Sequence, residues 1–582
     1  MGGMGRLKSY LWRYWRRYFL GAVCLLGTVT VVMWIPWWIR EAVRIIEQGG
    51  SPRDVTGYAL TIVAAGVVQG IIRTLSRSLI FNAGRDIEYD LRNDLFAHLQ
   101  KLPVSYYHSQ RTGDLMSRVI NDISAVRALL GPGILNLFNT PVYFFYAVIL
   151  MLSMDLRLTL VALLPSPLLI WAVRQFRGKI MKSSLAVQRQ MAELSSHIQE
   201  NLSGMHVVKA YTQEDHQIRQ FAKLNEEYQE KNMVLATLRG LIGPCMQGLN
   251  GLSVMAVLGY GGLRVIRGEL LVADIVAFIA YLNVLAWPTA AFGWMLSLVE
   301  RGRAAMERLE EIFKAEPEIA NPAHPASSIE SDVAVEFRHV WFAHDAKTNG
   351  HAVLKDISFT LPKGRTLAIV GRTGAGKSTL AQLLPRLYDA TEGEILIGGR
   401  EIRSLSLAEL RRGIGYVPQD PFLFSNSLNR NLSFGRDGIS EQEILAANHL
   451  TRLDRDVAIF PEGLATVVGE RGITLSGGQK QRATLARALL TEAPMIVLDD
   501  CLSSVDAQTE DEILRGFRSV LKEKTCLIIS HRISAVKDAD EILVLDEGRI
   551  IERGTHAELV ERGGLYAELH HHQQLSEELE QI

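Results

Sequence analysis

At 582 residues the chain exceeds what one ordinary hydrophobic core holds, so at least two domains are expected. The apolar share of 48% is unremarkable, yet long apolar runs crowd roughly the first half and almost none follow, which excludes a wholly soluble protein. A formal charge of −1 hides local bias, and no nucleic-acid partner is expected.

The chain opens with Arg6, Lys8, Arg13, Arg16 and Arg17 and no acid, a flank that belongs in the cytoplasm. The first apolar run is long, flanked by tryptophan and without a small-residue cleavage site, so an uncleaved spanning helix is expected rather than a signal peptide. A bilayer core needs about twenty apolar residues in a helix, because lipid offers free backbone groups no partner. Six segments qualify: 19–39, 57–81, 133–152, 158–173, 241–263 and 271–299. The fourth contains Pro165 and Pro167 and is expected to run past Val173 as one continuous helix.

Two long connections, 83–130 and 174–239, are rich in Arg and Lys, which puts them on the cytoplasmic side and returns the sixth helix there. They also read as helices, for example 195–228, so membrane helices should continue beyond the lipid toward a cytoplasmic partner. Cys24, Cys245, Cys501 and Cys526 have neither metal-like nor disulfide-like spacing and read as structural filler.

Gln69, Arg73 and Arg77 share one face of the second segment, and Asn136, Asn139, Gln247, Asn250 and Asn283 lie in others. They either line a cavity, or snorkel and hydrogen-bond between helices. The aromatics Tyr143, Phe144, Phe145, Trp287, Phe292 and Trp294 suit a greasy cavity or a lipid-facing belt equally.

From 304 to 331 the chain turns charged and then gains Pro322, Pro325, Ser327 and Ser328, as linkers do. This predicts a membrane domain at 1–310, a linker at 311–331 and a second domain at 332–582. In the second domain Val-, Ile- and Leu-rich strands alternate with helical patterns, giving an α/β domain with a largely parallel sheet. The expected fold is therefore an α-helical membrane domain with six transmembrane helices plus a C-terminal α/β domain, and the residues that follow make the latter a P-loop nucleotide-binding domain.

Gly371, Arg372, Thr373, Gly374, Ala375, Gly376, Lys377 and Ser378, followed by Thr379, fit the pattern G-x-x-x-x-G-K-[ST] between a strand and a helix. Glycines let backbone N–H groups curl around phosphate, Lys377 meets the outer phosphates, and Ser378 can ligate magnesium. The strand 495–498 ends in Asp499 and Asp500, where a carboxylate would hold magnesium opposite that loop. Together they define a nucleoside triphosphatase site.

Leu475-Ser476-Gly477-Gly478-Gln479 reads as LSGGQ and resembles the signature of ATP-binding cassette (ABC) proteins. Gln419 in Val-Pro-Gln-Asp looks like the Q-loop glutamine, Ser503 to Asp506 like the D-loop, His531 like the switch histidine, and 466–472, with Glu470 and Arg471, like the exporter X-loop. Residues 90–99 with 112–118, and 200–204 with 208–211, look like the two intracellular loops of ABC exporters. The resemblance covers nearly the whole chain and points to a half-transporter.

What it implies is ATP and Mg2+ as cofactors, held by the loop 371–379, by Ser476, Gly477, Gly478 and Gln479, and by Ser378, Gln419 and Asp499 on the metal. Gln419, Asp500 and His531 would take the catalytic roles. It also implies a dimer with each ATP between one phosphate loop and the other chain's signature, exporting a hydrophobic or amphipathic small molecule by alternating access. The expected place is the bacterial plasma membrane, amid lipid, with the N-terminus and cassette cytoplasmic.

Two positions depart from the family pattern. Asp500 stands where a catalytic Glu is usual, and one methylene less misplaces a water-orienting base. This resembles the impaired-site subunit of bacterial heterodimeric multidrug exporters and favours a heterodimer; a homodimer, a regulatory subunit and a peptide exporter stay open. His344 stands where an adenine-stacking aromatic is common, and an imidazole still stacks; Trp341 is a nearby alternative, though strand alternation points it the other way. The tail after Gly564, with His570, His571 and His572, could bind metal but reads rather as a solvated helix end, and no function is assigned to it.

Overall fold

The computed structural model describes residues 3–324, 335–344, 351–436, 438–469, 472, 475–521 and 524–580. The expected positions Pro325, Ser327, Ser328, Glu470 and Arg471, and the side chains of Trp287 and Phe292, lie outside what is described. Two compact units emerge, one of Met1–Leu99 with Thr112–Ala315 and one of Gln100–Arg111 with Glu316–Ile582.

The first unit is helical. Among the described residues four helices are long and apolar enough to cross a bilayer: Trp15–Glu47, Pro52–Leu99, Thr112–Met154 and Glu214–Ile266. Two shorter apolar stretches, Leu156–Leu168 and Val272–Leu285, occupy the remaining two expected segments and complete a six-helix membrane domain. Leu60, Val63, Val67 and Ile71 stay exposed, as helices bathed in hydrocarbon require. Inward faces meet in a core of Leu25, Val29, Met33, Ile80, Phe278 and Tyr281, where the Tyr281 hydroxyl donates to Met33 O at 3.1 Å. Arg40 pairs with Asp274 at 2.6 Å and Arg264 with Asp155 at 2.8 Å, so these charges bring their counterions with them.

Two helical expectations need correction. The fourth segment does run past Val173, to Ser203, but it is broken into Leu156–Leu163 and Ser166–Ser203. Leu164 N–H tightens onto Val161 O at 3.3 Å, and Pro165 and Pro167 have no N–H for the carbonyls four residues back. The expected helix 195–228 is likewise three pieces, Ser166–Ser203, Met205–Ala210 and Glu214–Ile266, separated at Gly204 and at a turn where Thr212 takes φ +53°. The chain thereby doubles back: Gln190 donates to Leu224 O at 3.3 Å and accepts from Lys231, pinning the two long helices as a hairpin.

The second unit is α/β. Its main sheet has six strands in the order β10-β9-β3-β8-β7-β6. Here β3 is Thr366–Gly371, β6 Ile414–Val417, β7 Met495–Asp499, β8 Thr525–Ile529, β9 Glu541–Asp546 and β10 Arg549–Gly554. All neighbours are parallel except the β9–β10 hairpin, and β7 and β8 are buried throughout, which explains their unbroken apolar runs. Alternate residues feed opposite faces: Leu367, Ile369, Val497 and Leu527 enter one core, and Ala368, Val370, Ile496 and Ile528 the other.

A second, antiparallel sheet, which the sequence reading did not separate, has the order β2-β1-β4-β5. Here β1 is Val335–Phe342, β2 Leu354–Leu361, β4 Glu392–Ile397 and β5 Arg400–Glu401. Phe337 and Phe359 stack across it at 4.5 Å and join the first core. Val104, on the short helix Val104–Ser109, packs against that same core, which is why 100–111 counts with the second unit. All four cysteines are free, and Cys501 and Cys526 are packed in the second core.

Candidate nucleotide site

The strand β3 ends at Gly371, and the loop to Lys377–Leu383 is shaped by glycine. A Cβ on Gly371 would stand 2.0 Å from Leu545 O, and Gly376 caps the helix at φ +100°. No side chain could replace Gly371 without moving β9. The loop from Arg372 to Gly374 is exposed while Ala375 is buried, so the turn hangs outward from a fixed base.

Lys377 is buried, donating to Gly371 O at 2.8 Å and Arg372 O at 2.9 Å. Burial pushes its ammonium down to about 8, and the charges of Asp500 and Asp499 partly offset this. Ser378 Oγ donates to Asp499 Oδ1 at 2.9 Å and lies 3.5 Å from Gln419 Oε1; Thr379 follows, half-buried, on the same helix. Burial pushes the Asp499 carboxyl up to about 6; neighbouring Asp500 adds to this, while the Ser378 hydrogen bond and Lys377 oppose it. Ser378, Gln419 and Asp499, called together by the sequence, thus converge as hard oxygen donors, the chemistry that suits magnesium.

Asp500 leaves β7 in the left-handed region, φ +45°, with its N–H on Ile529 O at 2.8 Å. A non-glycine residue there stores strain. Its Oδ1 accepts from the His531 N–H at 3.4 Å, so the short carboxylate is drawn back toward its own sheet. Burial and Lys377 hold the His531 ring below the usual imidazole range.

The signature lies at another helix start. Ser476 caps Gly477–Leu490: Gln479 N–H donates to Ser476 Oγ at 3.3 Å, and Ser476 N–H to Gln479 Oε1 at 2.9 Å. A Cβ on Gly478 would stand 2.9 Å from Ser504 O. Among the described residues, no hydrogen bond or ion pair joins 476–479 to the phosphate loop 371–379. The sequence-predicted residues therefore form two groups, not one.

His344 is exposed, its ring backed edge-on by Phe342 at 4.8 Å and Tyr388 at 5.3 Å. Trp341 instead lies under Arg549 at 5.8 Å. Strict alternation does not hold along β1, because its register shifts on either side of Val340 and His339 takes φ +49°.

Several residues escaped sequence reasoning. Gln481 ties signature to D-loop, donating to Ser503 Oγ at 3.0 Å and accepting from Ser504 N–H at 2.9 Å. Arg532 holds the same loop from the switch side, through Val505 O at 3.1 Å and Ser503 O at 3.2 Å. Asp456 accepts from Gln479 at 3.0 Å and Arg482 at 2.6 Å. Gln573 donates to His531 O and accepts from Ile533 N–H at 2.8 Å, so its amide brackets the switch backbone. The tail helix Leu565–Glu580 is thus not merely a solvated end: Tyr566 is buried in the second core, and Glu568 reaches Arg372 of the phosphate loop at 3.7 Å. No spacing signal marks Gln573, 42 residues beyond its partner.

Comparison with known proteins agrees with this geometry. Residues 18–289 match the ABC transporter transmembrane region and residues 354–503 the ABC transporter cassette. A probable multidrug resistance ABC transporter ATP-binding/permease protein of Bacillus subtilis (strain 168) is 36% identical, with 98% of each chain covered. An ATP-dependent lipid A-core flippase of Syntrophus aciditrophicus (strain SB) is 32% identical, covering 95% of this chain and 92% of the relative. The solved structure of a bacterial Atm1-family ABC exporter with ATP bound aligns with a TM-score of 0.79 and 29% identity, over 96% of this chain and 99% of that one. The chain belongs to the ABC transporters, as an exporter whose membrane region is fused to one ATP-binding cassette.

Proposed function

We propose that this protein is one half of a dimeric exporter that moves a hydrophobic or amphipathic compound, drug-like or lipid, across the bacterial plasma membrane. The N-terminus and cassette face the cytoplasm, in keeping with the basic flank before the first span. The observation that carries the reading is the split site. A phosphate loop and a capped signature helix are both formed in one chain, yet no hydrogen bond joins them among the described residues. A second cassette supplies what is missing on each side, so ATP acts as glue between two chains.

Within this chain, Gly371 to Thr379 cradle the phosphates and Lys377 meets their charge. An anion beside that buried ammonium restores the protonated form that burial opposes. Ser378, Gln419 and Asp499 would hold Mg2+, which when bound neutralises charge on the phosphates. His344 would back the adenine, and His531 would face the γ-phosphate, its loop kept in place by Gln573 and Arg532.

Asp500 favours a heterodimer. Its carboxylate is one methylene short of the usual Glu and engaged with the His531 backbone, which leaves it poorly placed to orient water. This chain's phosphate-loop site is then the slow one, and its intact signature completes a competent site on a partner half-transporter.

The test is the ATPase rate of the purified chain in lipid, beside Asp500→Glu, with the oligomeric mass of the same sample. A monomeric or nearly inactive chain that Glu rescues only in a forced homodimer supports the reading. Strong hydrolysis by the unmodified homodimer overturns the impaired-site assignment. Binding of ATP without any transported substrate, even with a partner, would make the chain a regulatory subunit.

A further inference from the structure

Resting on the export reading above, we propose that the membrane domain selects substrates bearing an oxyanion group, held by Arg73 and Arg77 inside its cavity. Both arginines lie on Pro52–Leu99, one turn apart, and both line a cavity of about 600 Å³. That volume falls within the range of small-molecule sites.

Like charges four residues apart on a helix repel, and charges at membrane depth are costly unless partnered. Other arginines of this domain bring an acid: Arg40 has Asp274 and Arg264 has Asp155. Arg73 and Arg77 do not. Among the described residues neither makes an ion pair or hydrogen bond, and no Asp or Glu lines the cavity. An anion entering from outside the chain is the missing counterion.

The remaining polar lining fits this. Tyr143, Asn139 and Asn283 make no hydrogen bond among the described residues and can all donate. Groups that would compete are turned inward, since the Ser76 hydroxyl donates to Gly21 O at 2.8 Å and the Thr28 hydroxyl to Cys24 O at 2.9 Å. Phe81, Leu135 and Trp294 supply an apolar wall for the rest of the ligand. A guanidinium gives an oxyanion two parallel hydrogen bonds, whereas a cationic amphiphile would meet two positive charges and no counterion.

The test uses the full chain in phosphatidylcholine nanodiscs and reads binding by calorimetry, which does not depend on hydrolysis. The probes are dodecyl phosphate and dodecyltrimethylammonium, of equal chain length. A second arm replaces part of the phosphatidylcholine with phosphatidylglycerol and reads stimulation of the ATPase. We expect dodecyl phosphate to bind at least tenfold more tightly than the ammonium. Combined Arg73→Gln and Arg77→Gln should weaken it roughly ten- to hundredfold, with Lys at both positions restoring most of the loss.

A response to dodecyl phosphate alone assigns a soluble amphiphile, and a response to phosphatidylglycerol alone assigns a bilayer lipid; either supports the proposal. Equal or tighter binding of the ammonium, no response in either arm, or unchanged affinity in the glutamine pair overturns it. Should the variants fail to fold, the comparison of phosphate with ammonium on the unmodified chain decides. Loss of ATPase in every lipid, with dodecyl phosphate still bound, would count against the export reading and leave this one standing.

Discussion

In the cassette, Lys377 finds two carbonyls of its own loop and two aspartates close by, while Arg73 and Arg77 in the membrane domain face a cavity without an acid. The first arrangement is complete before any ligand arrives: Ser378 is already on Asp499 and the switch backbone already on Gln573. The second is complete only with a guest. The difference suits the two tasks. A site that recognises the same polyphosphate each cycle gains from being preorganised, since it reorganises little on binding. A site that must admit and release cargo gains from a charge imbalance that the cargo itself relieves.

The comparison breaks hardest at the compensated site. Lys377→Ala removes the cation that Asp499 and Asp500 share, and ATPase in the assembled transporter should fall at least about a hundredfold. Asp499→Asn should abolish activity to a similar degree yet raise the thermal midpoint of the nucleotide-free protein by roughly 2–4 °C. The sign follows from the raised carboxyl. An acid whose folded value is about 6 against an ordinary 3.8 makes folding less favourable as pH rises through that window. The asparagine variant should therefore lose that pH dependence between about 4 and 6, as scanning calorimetry would register. A drop in midpoint at pH 7 would mean that Asp499 stabilises the empty fold.

Next in size is the pH response of nucleotide binding. Magnesium needs the Asp499 carboxylate ionised, so affinity for Mg-ATP should decline about tenfold per unit below pH 6, with binding in the absence of magnesium changing far less. A flat profile from pH 7 to 5 would separate Asp499 from the metal. Smallest is Gln573→Ala. Freeing the backbone at His531 and Ile533 should lower kcat three- to tenfold with the KM for ATP nearly unchanged, and Gln573→Glu should recover only part, because it loses the donor to His531 O. Equal losses in KM and kcat would make Gln573 a packing residue only.

Much of this molecule was legible because its signals are local. The phosphate loop, β7 with its two acids, and the apolar spans each declare themselves within about twenty residues. The break at Pro165 was harder, since hydrophobicity continues across it while the regular helical hydrogen bonding does not, and at Gly204 the backbone bonds continue on both sides of a residue whose dihedrals alone leave the helix. The antiparallel sheet was missed because β1 is bulged, so its burial does not alternate cleanly. Gln481, Arg532 and Gln573 each reach a backbone atom 23 to 42 residues away, and such atoms carry no residue identity to search for. Of the polar residues that the sequence offered for a cavity, Arg73, Arg77, Asn136, Asn139 and Asn283 line one, and Asn136 already donates to Pro132 O at 2.8 Å.

The membership of residues 100–111 in the cassette unit has a mechanical meaning. The polypeptide passes between the two units three times, at 99/100, 111/112 and 315/316. A cassette hung by its linker alone would be a pendant, free to fall away once that linker is cut. This one also counts a loop from earlier in the chain as its own, with Val104 half-buried against its core. A single nick after Lys314 should leave both fragments together through a gel-filtration column, and an excised cassette beginning at Glu316 should be stickier and less stable than its sequence alone implies.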